Sequence, residues 1–220
     1  ARMTSPAAAT GLDGLLRLLP EGKGAMAQRI VAQGRTPALA DFHKVGRTLS
    51  PEEADVLQDW LACGMRTSVV EEVRSKDGTF RLGVQLHDQR RIETVAMPSG
   101  TVCVSTQGGC AVGCKVCASG LFGVERNLDA NEIVEQVVHA RRRLPTDRVV
   151  YMGMGEPSHN LDAVLEAVAR IRDVAQISGK KQVVSTVGSV KAFERMKQAA
   201  VRPCLAVSLH VADDARRREL

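Results

Sequence analysis

An α/β fold is predicted for this chain, with parallel strands and helices from residue 99 onward, a β-hairpin over 71–98 and a small helical domain over 1–70. Three observations predict it. Beyond residue 99, short apolar runs alternate with amphipathic stretches of helical length, the rhythm of βαβ units. Residues 80–86 alternate between apolar and polar, the period of a half-buried strand. Residues 11–64 carry apolar side chains at helical spacing.

In chain order, residues 3–9 are small and polar and are expected to fray. Leu15, Leu16, Leu18 and Leu19 offer one apolar face, and Met26, Ile30 and Val31 the next. Ser50-Pro51-Glu52-Glu53 reads as a helix start, with a hydroxyl cap, a proline in the first turn and a carboxylate reaching back. Val56, Leu57, Trp60 and Leu61 are its buried stripe, and Cys63 is expected to be a small core residue. Phe80, Leu82, Val84 and Leu86 point to one face of a strand, with Arg81, Gly83, Gln85 and His87 on the other. Residues 92–97 return, and on its own Glu93 reads as a strand glutamate facing water.

Beyond Pro98, strands are expected at 101–105, 148–152, 182–186 and 205–208. Asp129 and Glu132 form a capping box ahead of a helix face of Ile133, Val134, Val137 and Val138. That helix ends in Arg141-Arg142-Arg143, which reads as a solvated end complementing the helix dipole. A second helix follows on Leu161, Val164, Leu165, Val168 and Ile171, and a third on Phe193 and Met196; Cys204 reads as packing.

Composition narrows the function classes. Lys and Arg exceed Asp and Glu to give a net charge of +5, which permits an RNA partner and by itself describes a soluble surface. No apolar run approaches the ~20 residues of a membrane span, and the opening residues carry no secretory pattern. Six cysteines gathered around a metal-like motif suit a reducing compartment better than a disulfide framework, so a cytoplasmic location is expected.

The chemistry concentrates between Cys103 and Cys117. Cys110, Cys114 and Cys117 stand in the spacing C-x3-C-x2-C, among Gly108, Gly109 and Gly113 that let the backbone turn the thiols inward. Three thiolates close no structural zinc site, because a fourth protein ligand does not follow at short spacing. A 4Fe–4S cluster on three cysteines keeps one iron open to a cofactor. Zinc with a distant fourth cysteine stays open as an alternative.

The motifs extend well beyond the triplet. Cys103-Val-Ser-Thr-Gln-Gly-Gly-Cys110, Arg126-Asn127-Leu128 with Glu132-Ile133, Met152-Gly-Met-Gly-Glu-Pro157, Ser185-Thr186 and Ser208-Leu209-His210 occur in that order. Together, over most of the chain from Glu71 onward, they resemble the RlmN/Cfr family of radical S-adenosylmethionine (SAM) methyltransferases of RNA adenines. The resemblance implies a partial (β/α) barrel of the radical SAM type, with an accessory helical domain that helps grip RNA. It implies a 4Fe–4S cluster on Cys110, Cys114 and Cys117, and SAM contacts at Gly155, Glu156, Ser185, Ser208, Leu209 and His210. It implies Glu93 as a proton acceptor and Cys103 as the thiol that helps resolve a protein–RNA crosslink. It further implies a reducing donor such as flavodoxin and, as substrate, an adenine of ribosomal or transfer RNA, carbon-2 favoured over carbon-8.

Read from the residues alone, Ser185 could equally cap a turn, His210 be a satisfied strand-end histidine and Cys103 a buried strand cysteine. A radical SAM enzyme on another substrate and a non-catalytic RNA-binding fragment remain alternatives. Val116 and Val187 depart from the family pattern, and neither the later SAM-contacting asparagine nor the methyl-carrying cysteine near the family's C-terminus occurs in the sequence. The chain is therefore expected to be an incomplete version, stopping inside a helix after about four βα units.

Overall fold

The computed structural model describes residues 10–20 and 22–219, so the segment expected to fray at 3–9 and the terminal Leu220 lie outside the described residues. Four helices come first: α1 (Gly14–Leu18), α2 (Lys23–Ala32), α3 (Leu39–His43) and α4 (Pro51–Cys63). The Ser50 hydroxyl accepts from the Glu53 amide at 3.2 Å, and the Glu53 carboxylate accepts from the Ser50 amide at 2.8 Å. That reciprocal pair starts α4 at the predicted residue. Leu57 and Trp60 are buried as expected. Cys63 is not: it lies off the Leu57–Trp60 stripe and is exposed, its thiol turned to the Asp59 carbonyl at 3.3 Å.

Three antiparallel strands follow, β1 (Thr67–Arg74), β2 (Phe80–Leu86) and β3 (Arg91–Met97). The hairpin of β2 and β3 matches the sequence pattern. β1 was not foreseen, and the boundary expected between 70 and 71 falls inside it. A register shift between Val69 and Glu71 breaks its alternation, so its sequence shows no period of two.

From β4 (Thr101–Cys103) the sheet turns parallel, continuing through β7 (Arg148–Tyr151), β8 (Gln182–Thr186) and β9 (Cys204–Val207) in the order β1-β2-β3-β4-β7-β8-β9. A short ribbon, β5 (Gln107–Gly109) with β6 (Val124–Asn127), interrupts the first crossover. The crossover helices are α5 (Ala130–Arg141), α6 (Leu161–Val174) and α7 (Val190–Gln198), and α8 (Asp214–Glu219) follows β9. Successive parallel strands added on one side by right-handed crossovers place every helix on the same face, which is barrel geometry. Val102, Val104, Val149, Tyr151 and Val184 are buried beneath those helices. Cys204 is exposed, on the opposite face of the edge strand, and does not pack in the core.

One apolar core joins the N-terminal helices to the α/β unit. The joint is α5, which is buried on two sides and so carries polar residues inside. Glu135 accepts from the amides of Arg66 at 3.1 Å and Thr67 at 2.9 Å, and from the Thr67 hydroxyl at 2.8 Å. His139 Nε2 meets the same hydroxyl at 2.9 Å. Nor is the arginine run simply solvated: Arg141 donates to the carbonyls of Ala32 at 2.8 Å and Thr146 at 3.0 Å, fastening α2 to the end of α5.

This network makes stability depend on pH. Burial holds His139 down to about 3 from its ordinary 6.5. The unfolded histidine gains its proton below 6.5, so this contribution is present at neutral pH and is lost as pH falls toward 3. Burial pushes Glu135 the other way, up to about 7 from 4.5, a contribution lost as pH rises between those values. Below 4.5 the two no longer offset each other. His139→Gln is expected to make the acid loss of stability shallower between pH 4.5 and 3, measured by urea unfolding at each pH. A loss as steep as in the parent would assign the acid sensitivity to other groups.

Candidate functional site

Strand pairing puts a single set of side chains on the face away from the helices. Glu93 is opposite Gly83, Val95 opposite Cys103, Cys103 opposite Val150, Val183 opposite Cys204 and Ser185 opposite Ala206. With the strand period of two, Glu93, Cys103 and Ser185 therefore share one surface although they are on three strands. The cluster loop, the Met152–Pro157 loop and the Ser208–His210 segment all leave from the C-terminal strand ends, where barrels of this type hold their chemistry.

A cavity of about 330 Å³ opens there, walled by Cys110, Cys114, Cys117, Gly155, Glu156, Ser185, Ser208 and His210 among others. All three triplet cysteines are in this wall, as are five of the six residues expected to contact SAM. Leu209 is the exception: its side chain is half exposed and outside the wall. Among the described residues no three His, Cys, Asp or Glu side chains group closely enough to hold a single metal ion. A cubane takes each thiolate on a different iron and so wants the sulfurs spread around a cavity, the arrangement found here. The residues present fit that group better than a single zinc ion. Burial raises the Cys110 thiol pKa, opposed by the Val112 amide and helped by the nearby Glu156, Cys114 and Cys117.

What holds these loops is a set of side-chain rungs. The Ser105 hydroxyl donates to the Glu93 carbonyl at 2.6 Å and accepts from the Met154 amide at 2.9 Å. The Gln107 carboxamide oxygen accepts from the Glu156 amide at 2.8 Å, and its nitrogen donates to Asn127 at 2.7 Å. Glu156 in turn accepts from the Thr186 hydroxyl, from the Val187 amide at 3.1 Å and from the Ser158 amide at 2.9 Å. Ser185 and Ser208 close the row, hydroxyl to hydroxyl, at 2.9 Å. Gly155 has φ +98°, and a Cβ there would lie 2.6 Å from Gln107 Cβ, so neither the turn nor the close approach admits another residue. From α5, Gln136 takes the Ser105 amide at 2.8 Å, returns a bond to its carbonyl at 3.0 Å and accepts from Thr94 at 2.8 Å.

Arg126 secures the far end of the cluster loop. Its guanidinium grips the buried Glu132 carboxylate at 2.7 and 2.8 Å and reaches Asp88 of the hairpin turn at 2.5 Å. Cys103 and Glu93 flank the cavity without entering its wall. The Cys103 thiol is largely buried, which raises its pKa, opposed by the Met152 backbone amide. Glu93 lines a second cleft with Arg81, Gly83, Ser119 and Met154. Met154 thus faces this cleft while Met152, Gly153 and Gly155 face the first. Ser105, Gln107 and Gln136 escaped the sequence reading; polar residues in or beside apolar runs were the only signal for them.

Three thiols on one loop, at the strand ends of a half-barrel, line one cavity that leaves room for a small cofactor. The radical SAM superfamily matches residues 104–220, and the chain belongs to that superfamily. It is 50% identical over 152 residues to a probable RNA methyltransferase of Thiobacillus denitrificans, covering 69% of this chain and 42% of that protein. It is 50% identical over 146 residues to a probable RNA methyltransferase of Pseudomonas paraeruginosa, covering 66% and 42%. Its fold is similar to the crystal structure of a radical SAM methyltransferase from Sphaerobacter thermophilus, with a TM-score of 0.71, 32% identity and coverage of 94% of this chain and 64% of that one. The matched region spans less than half the length of these curated relatives.

The rungs predict a specific energetic cost. Ser105→Ala leaves the Met154 amide and the Glu93 carbonyl without their buried partner, so a loss of about 1–3 kcal/mol is expected by urea denaturation. A change of a few tenths would show that the Ser105 hydroxyl is not holding the loop.

Proposed function

We propose that this chain carries the cofactor-binding core of a methyltransferase acting on an adenine of ribosomal or transfer RNA, at carbon-2 in preference to carbon-8. In this reading Cys110, Cys114 and Cys117 hold a 4Fe–4S cluster. SAM lies in the adjoining cavity against Gly155, Glu156, Ser185, Ser208 and His210, with Leu209 supplying backbone between the last two. The cluster, when bound, supplies the electron that cleaves SAM, drawn from a reducing donor such as flavodoxin. The observation that carries the reading is the shared sheet face, which sets Glu93 and Cys103 beside the loop that separates the two cavities.

The chain's own residues then divide the work. Ser185 and Ser208, bonded to each other, present a polar wall to SAM. Glu93, in the cleft on the far side of Met154, accepts the adenine ring proton. Cys103 helps release the methylated base from the protein; burial keeps its thiol protonated until then. Among the described residues no helix is long and apolar enough to cross a membrane, and a cytoplasmic setting fits the free cysteines.

Anaerobic reconstitution is expected to load about four irons per chain, with the visible absorption of the cluster lost when all three triplet cysteines become alanine. A full cluster spectrum from that variant would overturn the ligand set. In the full-length protein, Cys103→Ala should keep its iron yet accumulate a covalent protein–RNA adduct, seen as a shifted band sensitive to ribonuclease. Normal release of methylated RNA would return Cys103 to a packing role.

A further inference from the structure

The exposed face of the three-stranded sheet carries an ion-pair arrangement that the function above does not use. Glu71, Gly83 and Glu93 stand in direct cross-strand register on β1, β2 and β3. Arg81, two residues before Gly83, is opposite Val73 and Val95 and so diagonal to both carboxylates. It uses both reaches: Nη1 lies 2.7 Å from Glu93 and Nη2 lies 2.9 Å from Glu71.

As a source of stability this bridge is weak. All three side chains are about half exposed, and such pairs contribute roughly 0–1 kcal/mol. Its geometry is more specific than its energy. All three residues, with Gly83, line the cleft of about 370 Å³ whose opposite wall is Ser119 and Met154, next to the cofactor cavity. A Cβ at position 83 would stand 2.9 Å from Glu71 Cβ, so Glu71 lies across β2 only because no side chain is there. Glycine inside a strand weakens pairing and gives up a packing side chain. Here it leaves room for a second carboxylate to grip the far side of the guanidinium. A guanidinium fork can hold two carboxylates in fixed directions, which a lysine ammonium cannot.

We propose that Arg81 is the positioning residue for Glu93: held from behind by Glu71 across Gly83, it fixes the Glu93 carboxylate in the cleft where the substrate's ring proton is taken. This rests on the proton-acceptor role proposed for Glu93 above. Arg81 and Glu71 act through Glu93 and need not touch the base.

The test is a double-mutant cycle in the full-length protein, following release of methylated RNA in single turnover at saturating RNA. Arg81→Gln is expected to slow release about 10- to 100-fold, the cost of a misplaced reacting group. Arg81→Lys should recover part of that loss, and Glu71→Gln and Gly83→Ala should give the same defect in milder form. The decisive figure is the double variant Arg81→Gln/Glu93→Gln, expected to be no slower than Glu93→Gln alone. Losses that multiply would overturn the proposal, as would a defect that disappears at saturating RNA, which would make Arg81 an RNA contact. Thermal melting of Arg81→Gln is expected to match the parent; a large drop would reduce the bridge to a structural staple. If Glu93→Gln releases product at the parental rate, the role of Glu93 fails first and this inference with it; if only Arg81→Gln does, the inference alone fails.

Discussion

The site depends on hydrogen bonds that side chains make where the strand ladder runs out. Strands β4, β7 and β8 end at nearly the same level, and beyond them the chain must splay to form a cavity. Splayed loops leave amides and carbonyls without ladder partners, and buried polar groups left in that state are costly. Ser105 and Gln107 answer this by accepting the Met154 and Glu156 amides in place of a neighbouring strand. Glu156 passes the support to Thr186 and Val187 at the next strand end.

The same bonds couple the site to the body of the protein. Gln136 holds the Ser105 main chain on both sides and Thr94 beside Glu93, so one helix residue sets the spacing between the hairpin and the cluster loop. Beside it and one turn on, Glu135 and His139 tie that helix to Thr67 at the start of the three-stranded sheet. Arg126 adds a third tie, from Glu132 to the hairpin turn. The hairpin carrying Glu93 is thus registered against the cofactor loops through α5. Partly satisfied networks of this kind would be worse than an apolar core; this one is nearly complete, and His139 Nδ1 is its conspicuous unpaired atom.

In the function proposed above, two neighbouring cavities divided by one loop would keep cofactor and substrate apart until they react. Within Met152–Pro157 only Met154 lines the cleft with Glu93, while Met152, Gly153, Gly155, Glu156 and Pro157 line the other cavity, because the segment bends as it leaves the strand, with Gly155 at φ +98°. The glycines at 153 and 155 let it pass within contact distance of Ser105 and Gln107, and Met154 between them forms the partition. Flexible, polarizable methionine suits such a wall, which must close against different surfaces on its two sides.

Much of this was legible in the sequence, because it rests on local rules. The capping boxes at Ser50 and Asp129, the alternation over 80–86, the strand at 182–186 and the cysteine spacing each reflect steric and hydrogen-bond preferences that act within a few residues. Those rules also placed at strand ends the motifs that the family resemblance marks, before any fold was known. The tertiary structure decided what local pattern cannot carry. It made β1 a strand despite its broken alternation, because a bulge restores pairing that the sequence period hides. It exposed Cys63 and Cys204, which composition alone would bury, because one lies off its helix stripe and the other on the open face of an edge strand. It buried Glu135, Gln136 and His139 on a helix side that the apolar pattern assigns to solvent, because that side packs on the three-stranded sheet and the start of the cluster loop, at Thr67, Thr94 and Ser105. Local pattern shows which face of a segment is apolar; which polar face is also covered, and which distant residues meet there, depends on how whole elements pack.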